Sequence, residues 1–173
     1  GDLFYADFDS GTIRRIQYHG PTAVATADPR SGPAPLTVSF DGGAHRYDPK
    51  FEELLPLVDI LVVAAEFAER AAGPGGRESQ LARLGDCGAR IAGITDGARG
   101  SWFLEKGSSP FHQPAYPASP LIDTTGCGDV FHGVFLAAAV QGETWAASAR
   151  LAAAAAALSA TALGGRGRLP ARD

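Results

Sequence analysis

The sequence predicts an α/β protein: a domain of helices on a mainly parallel sheet over residues 43–173, preceded by a short β-rich segment over residues 1–42. Three observations carry that reading. Apolar runs of strand length alternate with helical stretches from residue 59 onward, which is the order an α/β domain requires. One of those runs, DILVVA at 59–64, is continuously apolar after its first residue, as a strand buried on both faces should be. A glycine-rich turn at 126–128 then opens a long apolar stretch of helical character, an arrangement common at ligand-binding ends of such sheets.

Taken in order, residues 3–8 and 12–18 read as two short strands around the turn Asp9-Ser10-Gly11, and 21–35 is a loop rich in Pro, Ala, Thr and Ser. A boundary falls near 41–44. After strand 59–64, helices are expected over 66–72 and 79–84, separated by the breaker Gly73-Pro74-Gly75-Gly76. Residues 90–95 form the next strand and place Thr95 at its carboxyl end, where open α/β sheets bind ligands, with Gly97 and Gly100 in the turn that follows. Strands 102–105 and 110–113 make a hairpin around 106–109. Two helices close the chain, 127–141 and 144–162, the second made largely of alanine. Alanine favours helix but buries little area, so that helix depends on close packing; tight helix packing is the main reading of its small side chains, and room for an adenine near the backbone the second.

A chain of 173 residues with 45% hydrophobic residues can bury about 70% of its unfolded surface as one domain. The net charge of −4 and a pI near 5.5 argue against a nucleic-acid surface, because no Lys/Arg stripe stands out. Cys87 and Cys127 are too few and too far apart for a zinc set or a disulfide framework, which suggests reduced thiols and a cytoplasmic location. The longest apolar stretches fall short of the roughly 20 residues a membrane span needs, and no basic leader precedes them, so no membrane partner is expected. Methionine is absent, which points to a processed or partial product, or to a stretch of a longer reading frame.

The chemistry concentrates in Asp123-Thr124-Thr125-Gly126-Cys127-Gly128-Asp129. Glycines at 126 and 128 admit φ > 0 and a close ligand, so the amides from Thr125 to Asp129 are expected to converge on one anion, at the positive end of the helix dipole. Asp129 sits on the first helical turn, in reach of a proton on an attacking hydroxyl. The same residues also suit plain helix-capping and turn chemistry.

The full string resembles the signature of the ribokinase-like carbohydrate kinases, the PfkB family. The flanking pieces LLPLVDILVVAAEFA (54–68), IAGITDGARGSWF (91–103) and LGGRGRLP (163–170) follow the family's order and spacing, and their wording is most similar to the ketohexokinase and sulfofructose kinase branch. Together they cover residues 43–173, the C-terminal half of such an enzyme. The resemblance implies a partial three-layer α/β/α domain that moves the γ-phosphate of ATP to a sugar hydroxyl. It implies Asp129 as catalytic base and Gly126, Cys127 and Gly128 as anion hole. Thr95, Gly97, Gly100 and Thr125 would contact nucleotide, Mg²⁺ would accompany ATP, and Asp123 and Thr125 would hold a monovalent cation such as K⁺. Two positions depart from the family pattern. Cys127 stands where Ala is common, and the usual Asn-x-x-Glu aligns with Ala64 and Phe67.

The first 42 residues read differently. GDLFYADFDSGTIRRIQY resembles the closing blade of a sorbosone or glucose dehydrogenase β-propeller, and PTAVATADPRSGPAPLTVSFDG the first strands of a PKD-type sandwich, suggesting a chimeric reading frame. LTVSFDGG suits both that sandwich and the kinase strand, and an ordinary kinase with a divergent N-terminal hairpin is the other reading. With the family's N-terminal half outside this chain, the sugar kinase activity is expected to be impaired or absent. The alternative is a non-catalytic module that binds nucleotide or self-associates through an exposed sheet edge.

Other residues carry less. His112 and His132 are expected at the surface or in supporting positions, His19 and His45 have no spaced metal partners, Glu66 and Glu69 form a solvated helix face, and Arg166 and Arg168 a charged terminal turn.

Overall fold

The computed structural model describes residues 3–7, 12–19 and 22–26 as backbone strands, and then 37–43, 47–48, 50–165 and 167–168. The turn expected at 9–11, His45 and Arg166 lie outside the described residues.

Strands β1 (Leu3–Asp7), β2 (Thr12–His19) and β3 (Thr22–Thr26) form an antiparallel meander in which Phe4 faces Arg15 and Tyr18 faces Ala23. The first two match the expected hairpin. The third corrects the reading of 21–35 as loop throughout, since TAVAT contributes β-branched residues that pair well with β2.

A second sheet has the order β4-β5-β6-β7-β8, built from β4 (Ser39–Gly42), β5 (Ile60–Ala64), β6 (Ile91–Thr95), β7 (Ser101–Glu105) and β8 (Phe111–Gln113). It is parallel from β4 to β6 and antiparallel from there. Connection length explains the change. Parallel neighbours need a long crossover, supplied by 43–59 and 65–90, whereas five-residue links join β6 to β7 and β7 to β8. Of the string LTVSFDGG, Ser39–Gly42 form β4 and pair with β5 in this sheet.

Alternation along the strands splits the core in two. Leu61, Val63, Ala92 and Ile94 point to one face, where they meet Phe67 and Ala68 of α2 (Ala65–Ala72) and Leu81 and Leu84 of α3 (Arg77–Gly85). Phe51 and Leu54 of the short α1 (Phe51–Leu54) pack against the same cluster. Ile60, Val62, Ile91 and Phe103 point to the other face, against Phe131, Phe135 and Leu136 of α4 (Cys127–Val140) and Ala149, Ala152 and Ala153 of α5 (Trp145–Ser159). This is the expected helix–sheet–helix layering.

On the α4–α5 side the rings lie nearly parallel. Phe103 is 5.0 Å from Phe135 and 5.3 Å from Phe111, and Phe135 is 5.9 Å from Trp145. Burying Phe135 completely contributes about 2–3 kcal/mol by area. Thr144 caps α5 by accepting the Ala147 amide at 3.2 Å, and the Trp145 indole N–H donates to Glu105 at 3.0 Å, tying the helix to the end of β7. No helix among the described residues is long and apolar enough to cross a membrane.

Candidate active site

The turn before α4 is held from two sides. Asp123 Oδ1 accepts the Thr125 amide at 2.9 Å and Oδ2 accepts the Gly164 amide at 2.8 Å. Those hydrogen bonds, Thr125's first, hold its carboxyl below the usual carboxylate range. The amides of Ile122 and Asp123 donate to Ala160 O at 2.9 and 3.2 Å, fastening the segment to the end of α5. Gly126 then turns with φ of 76°, and the loop at 163–165 crosses so closely that a Cβ there would lie 2.8 Å from Gly165 Cα. Only glycine meets both demands.

This geometry decides which amides remain free to hold an anion. Thr125 spends its N–H on Asp123, and Cys127 spends its own on Thr124 O at 3.2 Å. The expectation that all the amides from Thr125 to Asp129 converge is therefore corrected, because a turn this tight closes on itself. Among the described residues no acceptor faces the amides of Gly126, Gly128 and Asp129. These lie at the N-terminus of α4, where the helix dipole adds to their pull on negative charge. Burial raises the Cys127 thiol above its usual range, which suits a small packing residue better than a thiolate.

A second turn, between β6 and β7, faces the first. Asp96 N donates to Gly100 O at 2.8 Å, and Gly100 N to Gly97 O at 3.0 Å. Gly100 has φ of 92°, and a Cβ would run into the Gln113 carbonyl, so this glycine shapes the turn and has no free N–H for a ligand. The Asp96 carboxylate is gripped by Arg99 at 2.6 and 2.8 Å and by Arg77 at 2.8 and 3.1 Å, and these partners, Arg99 first, hold it below the ordinary carboxylate range. Arg77 also donates to the buried Gln80, whose amide reaches Gly73 O at 3.0 Å, so the glycine loop at 73–76 is joined to the turn. His112, expected at the surface or in support, stacks on Trp102 at 4.3 Å and bonds Arg99 O at 2.9 Å, bracing the turn from β8. Neither Arg77 nor Gln80 showed in the sequence reading, since they meet Asp96 only through the fold.

Between the two turns lies a largely apolar cleft of about 590 Å³. Thr95, Gly97 and Gly100 line one end and Thr124, Cys127 and Gly128 the other, while Ala153, Ala156, Ala157 and Ala160 of α5 form a wall of small side chains. Tyr116 and Leu121 stand at this cleft while keeping much of their surface exposed. The sequence, read mainly for tight helix packing here, left such a wall open only as its second reading.

Two acids at the neighbouring seam were not both foreseen. Asp41, on β4, is partly open to solvent, yet the protein around it and then the charge of Asp129 push its carboxyl up to about 6. His132, expected at the surface or in support, is largely enclosed, and burial pushes its imidazole down to about 4. Strand alternation in LTVSFDGG puts Ser39 and Asp41 on one face, and that was the available signal for both.

The described residues contain no group of three His, Cys, Asp or Glu able to cage a metal. Ala64 offers no side-chain ligand atom, and the Phe67 ring is wholly buried among Phe40, Tyr47 and Phe51. The pair aligned with Asn-x-x-Glu thus serves the core, and no protein cage for Mg²⁺ is present among the described residues. The two amide bonds of the Asp123 carboxylate leave acceptor capacity on its oxygens, since each accepts more than one contact.

The sequence profile of the pfkB family carbohydrate kinases matches residues 23–172. The chain belongs to the pfkB family. It is 34% identical over 111 residues to a ribokinase of Arabidopsis thaliana, a match covering 61% of this chain and 29% of that one. Its fold superposes on the crystal structure of ribokinase from Thermotoga maritima with a TM-score of 0.70 and 27% identity, covering 79% of this chain and 46% of that one. Arabidopsis ribokinase, solved with ribose and ATP, gives a TM-score of 0.66 at 27% identity, with 78% and 45% covered. The chain thus spans less than half the length of these relatives.

Proposed function

We propose that this segment is the nucleotide-holding and base-bearing half of an ATP-dependent sugar kinase. The observation that carries this reading is the cleft between two turns, one of which ends at a helix N-terminus in three amides with no acceptor among the described residues. Nucleotide base and ribose lie against the alanine wall of α5, and the phosphates run toward Gly126, Gly128 and Asp129. Those amides stabilise charge on the transferred phosphoryl group, and the Asp129 carboxylate takes the proton from the sugar hydroxyl as it attacks in line. Mg²⁺ arrives with the nucleotide and neutralises phosphate charge. Asp123, with Thr125, would hold K⁺ beside the anion turn and add positive potential there. The wording of residues 54–68, 91–103 and 163–170 supports a ketohexokinase-like or sulfofructose kinase-like branch, and β1 and β2 lie ahead of the family-matched residues 23–172.

Titration calorimetry with ATP and ADP, beside a sugar phosphorylation assay, tests this. The 173-residue chain is expected to bind both nucleotides and to turn sugars over weakly or not at all, because it spans under half of its relatives' length. Absence of nucleotide binding overturns the reading of the cleft. In a chain extended to the relatives' length, Asp129→Asn is expected to keep ATP affinity and lose about 10²–10⁴ in turnover. Unchanged turnover removes Asp129 from the role of base.

A further inference from the structure

The seam between β4 and α4 carries two cross-element pairs side by side. His132 Nε2 lies 3.0 Å from Ser39 Oγ, and Ser39 Oγ in turn donates to Ile60 O at 3.3 Å. The arrangement that satisfies both contacts has the serine hydroxyl donating to Ile60 O and its oxygen accepting from His132 Nε2–H. Nδ1 is then a bare acceptor, buried and without a partner among the described residues. A polar side chain enclosed with one nitrogen unsatisfied is a poor choice for packing alone, so its worth lies in the bond it does make. That bond joins α4 to β4 and, through Ile60, to β5.

Register brings in the acids. Ser39 and Asp41 are two residues apart on a strand and share a face, while His132 and Asp129 are three apart on a helix and share another. Fastening Ser39 to His132 therefore brings Asp41 toward Asp129, close enough for one charge to act on the other. We propose that His132 is a positioning residue: its hydrogen bond to Ser39 sets α4 in register on β4, and so fixes the Asp129 carboxylate beside Asp41 at the head of the anion turn. Asp41 becomes a second carboxylate beside the site. The relevance to phosphoryl transfer rests on the reading of Asp129 as base, but the register itself does not.

Carboxyl-detected NMR titration of the labelled 173-residue chain reads the register without any need for turnover. In the parent, Asp41 is expected to titrate near 6. His132→Leu and Ser39→Ala should each lower that midpoint as the carboxylates separate, by no more than Asp129→Asn does, because burial is the larger part of the shift and the neighbouring charge the smaller. His132→Gln, which keeps an N–H donor at similar reach, should restore it. Asp129→Asn should lower it as well, by removing the neighbouring charge. An unchanged Asp41 midpoint in folded Ser39→Ala or His132→Leu overturns the proposal, and so does an Asp129→Asn variant that leaves Asp41 where it was. Should the leucine variant fail to fold, the milder serine change decides alone. Failure of Asp129 as base would show in turnover and leave these midpoints untouched.

Discussion

Gly126→Ala is the substitution in which the backbone of the candidate site is most exposed to test. The residue holds φ of 76°, where an alanine pays roughly 1–2 kcal/mol in Cβ–carbonyl contact. The added methyl would also lie 2.8 Å from Gly165 Cα, a backbone atom that has no side-chain rotamer through which to yield. Forcing a methyl into such a space costs about 1–3 kcal/mol. Together these predict a loss of about 3 kcal/mol, or a fall in melting temperature of about 6–12 °C for a domain of this size. Gly128→Ala is the matched control, since nothing lies within 4 Å of its added Cβ, and its stability is expected within about 0.5 kcal/mol of the parent. Urea unfolding followed by circular dichroism measures both. ATP titration on folded protein should show at least a tenfold weaker affinity for Gly126→Ala, because displacing the turn misaligns the free amides and each bond to a charged group is worth about 1.5–3 kcal/mol. If Gly126→Ala matched Gly128→Ala in stability and bound ATP like the parent, the account of a glycine required by backbone crossing would be refuted.

Two further outcomes follow from the cleft and the seam. Ala157→Leu, on the half-buried α5 wall, should fill part of the cleft and weaken ATP at least tenfold in calorimetry while shifting the melting temperature only a few degrees; unweakened binding would place the nucleotide elsewhere. Asp41 has a folded-state value near 6 against 3.8 as a free side chain, so ionising it opposes folding. Its penalty is absent below the unfolded value, grows as pH rises from about 4 to 6 and is complete above that. Asp41→Asn should therefore raise the melting temperature at pH 8 and leave it nearly unchanged at pH 4. An equal effect at both pH values would show that Asp41 does not titrate in this way.

Much of the fold was legible because it is written in short-range terms. DILVVA could be read as a doubly buried strand from six residues, and Ile60–Ala64 is that strand. The hairpin around 106–109 and both final helices sit within a few residues of their expected places, since Gly, Pro and the cap Thr144 mark their ends locally. The site was legible only in part. Asp123, Gly126 and Asp129 stand in one contiguous string, so their chemistry could be named, yet the string cannot tell which amides stay free. That is settled by Asp123 and Thr124 turning back on Thr125 and Cys127.

By itself, then, the sequence determined the family, the order of strands and helices from residue 59 onward, and the chemical type of the turn at 123–129. These depend on side-chain periodicity and on backbone freedoms that act over a few residues. Tertiary structure decided what lies across long separations: Arg77 gripping Asp96, Gly165 pressing on Gly126, Phe67 taken into the core, and His132 meeting Ser39 at 93 residues' distance along the chain. No local propensity encodes such contacts, because each exists only once the helices have packed on the two faces of the sheet and brought remote side chains within hydrogen-bonding reach.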